Sequence, residues 1–136
     1  GNNSLDIISD INNNNILMFD FIDDIENAYA ASDLVVSRAG ATAISEIIFL
    51  KKPSILIPYP YASDNHQEIN AKVLEDRGAA VMIKENEFNN SLLERKIFEL
   101  FESKEAMSKI SSNASKLSRP NASDVIKDKI KEIISC

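Results

Sequence analysis

The sequence predicts an α/β fold, a parallel sheet with helices on both faces. Two observations carry that reading. Short apolar runs of strand length alternate with amphipathic segments of helix length over roughly 70 residues, the pattern of repeated βαβ units. The punctuation also agrees, because Pro53 and Gly78 fall where the helical periodicities stop.

The elements follow in order. Residues 1–15, "GNNSLDIISDINNNN", hold a short apolar repeat at Leu5, Ile7, Ile8 and Ile11 and then an asparagine run, which fits a weak helix and a loop. "ILMFDF" (16–21) reads as a first strand. "IENAYAA" (25–31) reads as a short helix with Asp23 or Asp24 as its cap. "DLVVS" (33–37) is a second strand. In "ATAISEIIFLKK" (41–52), Ala43, Ile47 and Leu50 share one helical face, and Lys51-Lys52 complement the negative end of the helix dipole. "SILIP" (54–58) is a third strand, followed by the loop "YPYASDN" and the helix "HQEINAKVLEDRG" (66–78). "AAVMI" (79–83) is a fourth strand. From Phe88 onward the apolar positions recur at three and four, so the rest is helical, with a break at Arg119-Pro120. The chain divides into an N-terminal segment (1–15), a partial Rossmann-like domain (16–119) and a C-terminal helix (120–136).

Composition narrows the function. With 136 residues, 44% hydrophobic and 26% charged, the chain has enough material for one core and no apolar run long enough to span a bilayer. A net charge of -6 argues against a nucleic-acid surface, where a basic stripe is the usual footprint. Cys136 is the single cysteine, which excludes an internal disulfide and a thiolate metal cluster and leaves a spectator thiol. A chain that opens on Gly1 fits a piece cut from a longer protein.

Parallel sheets bind ligands at the carboxyl ends of their strands, which directs attention to the turn after Val36 and the loop after Pro58. "SRAGATAISE" (37–46) is nearly free of bulk except at Arg38, so a ligand could approach the backbone around Gly40 closely. The free N–H groups at the start of the following helix (Ala41, Thr42, Ala43) suit a phosphate or diphosphate. Glu46 is unsuited to phosphate but can accept hydrogen bonds from both hydroxyls of a ribose. The alternative, a carboxylate that merely favours the helix dipole, stands beside it. Arg38 either neutralises a diphosphate or ties the turn to Asp23 or Asp24. No Walker or dinucleotide fingerprint is present, and no convincing metal cluster.

"FIDDIENAYAASDLVVSRAGATAISEI" (21–47) and "KKPSILIPYPYASDNHQEINA" (51–71) resemble the C-terminal, donor-binding domain of the MurG family, the bacterial N-acetylglucosaminyltransferases that convert lipid I to lipid II in peptidoglycan synthesis. Four motifs carry the resemblance in order: F-I-D-D, S-R-x-G-A-x-x-x-x-E, a proline-bounded strand and D-N-H-Q-x-x-N-A. It implies the C-terminal half of a two-domain GT-B glycosyltransferase at the cytoplasmic face of the cell membrane. The implied donor is UDP-N-acetylglucosamine, with the uracil against the Ile22 backbone and the ribose on Glu46. The resemblance places the phosphates near the backbone of Ala41, Thr42 and Ala43, with Gly40 and Arg38 beside them as further UDP-binding candidates, and the sugar hydroxyls near Asp64, His66, Gln67 and Asn70. The resemblance implies no metal and no other cofactor, and a general base in another domain, so His66 is assigned to sugar binding.

The family's glycine-rich phosphate loop has no counterpart before Ile16. The acceptor-binding domain, with its lipid I site and membrane patch, has none either. The chain alone is therefore expected to be inactive and, with an uncovered strand edge, open to self-association. A donor-binding subunit of a split glycosyltransferase and a sugar-nucleotide epimerase are the other readings.

Overall fold

A computed structural model describes residues 15–118. The expectations for residues 1–14, for the Arg119-Pro120 break, for the helix at 120–136 and for Cys136 lie outside the described residues.

Among the described residues, three short parallel strands form the sheet: β1 (Val35–Ser37), β2 (Ser54–Leu56) and β3 (Val81–Met82), in that spatial order. Val35 pairs with Ser54 and Val36 with Ile55, while Ile55 pairs with Val81. Flanking bonds prolong the ladders, with Val35 N–H donating to Pro53 O (3.0 Å), Ile57 N–H to Ser37 O (2.9 Å) and Ile83 N–H to Leu56 O (2.9 Å). Among the described residues the helices are α1 (Ile25–Ala31), α2 (Ala41–Phe49), α3 (His66–Asp76), α4 (Asn90–Glu102) and α5 (Lys104–Leu117), with a 3-10 turn at Ser63–Asn65.

β2 is the central strand and is buried on both faces, as a parallel strand between helical layers must be. Its alternation sends Leu56 into one core, with Ile44 and Ile47 of α2 and Ala71 and Leu74 of α3. Ile55 and Ile57 enter the other core, with Ile83, Leu100 of α4 and Ile110. Helices thus cover both faces, as expected.

Two expectations fail. Residues 16–21 are not a strand: among the described residues nothing pairs with them, and Leu17, Phe19 and Phe21 are each at least 66% exposed. An apolar run becomes a strand only when its N–H and C=O groups find a ladder. The helical tail also breaks earlier than the sequence indicates. Ser103 is at once the C-cap of α4 and the N-cap of α5, its hydroxyl accepting from Ala106 N–H (3.1 Å).

The ends of α2 and α3 share a construction. Each closes with two reversed bonds around a left-handed residue: Lys52 N–H to Ile47 O and Lys51 N–H to Ile48 O for α2, Ala79 N–H to Leu74 O and Gly78 N–H to Glu75 O for α3. The left-handed residues are Lys51 (φ 55°) and Gly78 (φ 65°). Both of their carbonyls are held by α5, through the Ser111 hydroxyl (2.7 Å) and the Asn113 amide (3.1 Å). A Cβ on Gly78 would sit 2.8 Å from Asn113 Nδ2. Gly78→Ala is therefore expected to cost about 1–2 kcal/mol, from left-handed strain and displacement of that amide. Urea unfolding should show a lower midpoint at unchanged slope.

Candidate functional site

The carboxyl ends of β1 and β2 give onto the N-terminal ends of α2 and α3, and nearly all the residues singled out from the sequence gather there. Gly40 is the N-cap of α2 in an extended conformation (φ -66°, ψ 149°), with no side-chain cap. The first helical bond runs from Ile44 N–H to Gly40 O (3.0 Å), so the N–H groups of Ala41, Thr42 and Ala43 have no intrahelical acceptor. Neither backbone nor packing demands glycine at 40: its φ is ordinary, and an added Cβ would meet nothing nearer than Gln67 Nε2 at 3.9 Å. The bareness of the turn leaves its backbone open to approach.

The turn is held from behind by α3. Gln67 Oε1 accepts from Ala39 N–H (3.2 Å) and from Tyr59 N–H (2.9 Å), while Asn70 Nδ2 donates to Ala39 O (3.2 Å). Two side chains one helical turn apart thus satisfy both polar groups of a residue that is fully buried. In this structure Gln67 and Asn70 are clamps on the backbone; the Gln67 amide nitrogen faces Gly40. Asp64 and His66 lie at the entry to α3 and are exposed, with His66 Nε2 3.8 Å from Asp64 Oδ2. Asp64 and Asn65 are both left-handed (φ 56° and 55°), a conformation these two residue types tolerate best among those with a Cβ.

Arg38 does not bind Asp23 or Asp24. Its guanidinium pairs with Glu85, one nitrogen lying 3.3 Å from Glu85 Oε1, and also donates to Ile57 O (3.3 Å). The Tyr59 ring lies 5.7 Å from Cζ and Tyr61 meets Tyr59 edge-on, so the two tyrosines brace this corner. The correction has a topological cause: the loop after β3 returns beside the carboxyl end of β1, whereas Asp24 is engaged as the α1 cap, accepting from Asn27 N–H (3.2 Å). The Arg38 hydrogen bond holds the Glu85 carboxyl below its ordinary 4.5. A lowered carboxyl pKa contributes stability that is present above the unfolded-state value and lost as pH falls through the folded-state value. The difference in melting temperature between the unmodified chain and Glu85→Gln should accordingly vanish in acid below that value. A difference that persists there would refute the ion pair.

Glu46 lies further along α2, half-buried, facing Tyr29 of α1. Burial first, then the neighbouring Glu46 carboxylate, raise the Tyr29 phenol above its ordinary 10.0. Ile22 lies in the loop leading into α1, 40% exposed. Tyr29 and Glu85 are the two residues that sequence reasoning missed, and no spacing links either to its partner. Among the described residues no group of three or more His, Cys, Asp or Glu is placed to hold a metal, and no helix is long and apolar enough to cross a membrane.

Comparison with known proteins agrees with this geometry. Residues 2–128 match the family described as glycosyltransferase family 28 C-terminal domain. The chain is 46% identical over 114 residues to the UDP-N-acetylglucosamine–N-acetylmuramyl-(pentapeptide) pyrophosphoryl-undecaprenol N-acetylglucosamine transferase of Desulforamulus reducens, covering 83% of this chain and 31% of that one. It is 42% identical over 127 residues to the enzyme of the same name from Acetivibrio thermocellus, covering 93% and 34%. The crystal structure of Acinetobacter baumannii MurG superimposes with a TM-score of 0.73 at 30% identity, over 86% of this chain and 33% of that one. The chain spans about a third of the length of these relatives. A parallel sheet whose bare turn opens onto a helix N-terminus, matched over most of its length, places the chain in one family: it belongs to the glycosyltransferase family 28 C-terminal domains.

Proposed function

We propose that this chain is the donor-binding part of an inverting N-acetylglucosaminyltransferase that converts lipid I to lipid II, and that it takes UDP-N-acetylglucosamine. The observation that carries the reading is the pairing of an uncapped, side-chain-poor helix N-terminus at Gly40–Ala43 with the half-buried Glu46 further along the same helix. The first suits a diphosphate and the second a pair of ribose hydroxyls. The uracil lies against the Ile22 backbone, and the sugar toward Asp64, His66 and the free amide nitrogen of Gln67. Asn70 then acts chiefly through the Ala39 carbonyl it holds.

In the reaction, the C4 hydroxyl of the N-acetylmuramyl lipid attacks the anomeric carbon. The new glycosidic bond forms as the bond from that carbon to the phosphate oxygen breaks, and UDP leaves with the electron pair. The hydroxyl proton passes to a base outside this chain. The first-turn N–H groups of α2 stabilise the growing charge on the diphosphate without a metal. Arg38 adds a cation at the same mouth, steadied by Glu85. The acceptor, and contact with the cytoplasmic face of the membrane, belong to the remaining part of the longer enzyme.

The test is transfer of labelled N-acetylglucosamine by the full-length protein to a polyprenyl-diphosphate N-acetylmuramyl acceptor, with and without EDTA. Equal transfer in both is expected. Loss in EDTA would refute metal independence, and no transfer under either condition would refute the function.

A further inference from the structure

We infer that Glu85 is a positioning residue for Arg38. By holding one edge of the guanidinium it presents the other to the outer phosphate of a nucleoside diphosphate, and so sets the preference of the site for a diphosphate over a monophosphate. The inference rests on the diphosphate reading above and adds the residue that orients its cation.

Glu85 is itself held on both sides. Ile83 N–H donates to Leu56 O (2.9 Å), which ties the chain to the sheet just before it. Glu87 N–H donates to Lys84 O (3.0 Å) and Phe88 N–H to Glu85 O (3.2 Å), which folds the loop just after. Side chains alternate in direction at the end of a strand. Lys84 accordingly reaches α3, with Nζ 3.0 Å from Glu68 Oε1, while Glu85 reaches the turn after β1. The carboxylate thus comes to Arg38 from a loop pinned to both the sheet and α3.

A guanidinium has five N–H donors and two edges that match an oxyanion bidentately, one formed by Nη1 and Nη2 and one by Nε and Nη2. Glu85 takes the first, its two oxygens paired with Nη1 and Nη2, and Nη1 also donates to Ile57 O (3.3 Å). Among the described residues no group bonds the Nε–Nη2 edge, and the Arg38 side chain is 50% exposed, so that edge is open to a ligand. The Tyr59 ring, 5.7 Å from Cζ, limits the tilt of the guanidinium plane. Without Glu85 a ligand would have to freeze the rotamers of this long side chain on binding.

The order of groups along the ligand decides which phosphate is read. Glu46 and the free N–H groups of Ala41, Thr42 and Ala43 lie on one helix, about one turn apart, so a ribose on the first brings the adjoining phosphate to the second. Arg38 precedes Gly40, on the side of the turn away from Glu46 along the chain. Its open edge is the donor left for the outer phosphate.

The experiment is titration of UDP and UMP into the full-length protein and into Glu85→Ala, Arg38→Lys and Arg38→Gln, with melting temperature as the control for folding. The unmodified protein is expected to bind UDP more tightly than UMP; equal affinity for the two would overturn the inference outright. Glu85→Ala should lose about five- to tenfold in UDP affinity, the cost of freezing one long side chain, and stay within about twofold for UMP. Arg38→Lys keeps the charge but offers no fork, and should fall at least as far. In Glu85→Ala, equal losses for both ligands would mean a structural role only, a gain for UDP would mean that Glu85 competes with the phosphate, and no change would mean no role; each overturns the inference. The arginine variants separate it from the reading beneath. If Arg38→Gln leaves the preference for UDP intact, the cation reading itself falls and the inference with it. If Arg38→Gln narrows the preference while Arg38→Lys or Glu85→Ala does not, only the inference falls.

Discussion

Glu46→Ala is expected to weaken UDP binding about 100-fold with the fold intact. A hydrogen bond to a charged acceptor contributes about 1.5–3 kcal/mol, and the ribose offers two; a shared loss of about 3 kcal/mol corresponds to that factor. The side chain is half-buried and outside both hydrophobic cores, so its removal leaves no cavity at Ile44 or Ile47. Calorimetric titration of UDP, with circular dichroism as the control for folding, reads the effect. Affinity within twofold of the unmodified chain would leave Glu46 as a carboxylate that only favours the helix dipole.

The second large effect is expected on stability. Gln67→Ala should cost about 2–3 kcal/mol, since one oxygen accepts from two backbone donors at the ends of two strands. Ala39 is fully buried, so its N–H finds no water in exchange, whereas Tyr59 is 45% exposed and recovers part of its loss. Thermal unfolding should drop by roughly 7–10 °C at this chain length. Gln67→Glu keeps an oxygen acceptor and should retain most of the stability. If the alanine variant melts with the unmodified chain, the clamp is not a stabilising contact. Any loss of UDP affinity in Gln67→Glu, with stability kept, would then report on the amide nitrogen that faces Gly40.

The parts of the molecule written in local chemistry were readable from the sequence. α2 and α3 announce themselves by period, by Pro53 and by Gly78, and the buried strand β2 by three consecutive apolar residues between breakers. Local signals misled at residues 16–21, where a strand-like run has no ladder among the described residues, and they were silent at Ser103, a good cap hidden inside a continuous helical period. The site divides the same way. Gly40, Thr42 and Glu46 are neighbours along one helix, so their association is visible in the text. Arg38 with Glu85, and Tyr29 with Glu46, meet only through the order of strands and the docking of a short helix, which no local pattern encodes. The most instructive case is the H-Q-x-x-N spacing. Its regularity points to ligand recognition, yet in this structure Gln67 and Asn70 grip the chain's own backbone, holding in place the turn from which the first-turn amides of α2 emerge.

The single-residue corner at Ser103 makes the length of the chain there a fixed quantity. α5 puts Ile110 into one core and Ala114 into the other, and its Ser111 and Asn113 grip the carbonyls that end α2 and α3. One residue more or fewer before Lys104 would turn α5 by about 100° about its axis and misdirect all four side chains at once. The helices whose first turns meet at the candidate site are anchored at their opposite ends by this one helix. Insertions that most surface corners absorb would therefore be felt across the sheet, at the mouth of the site.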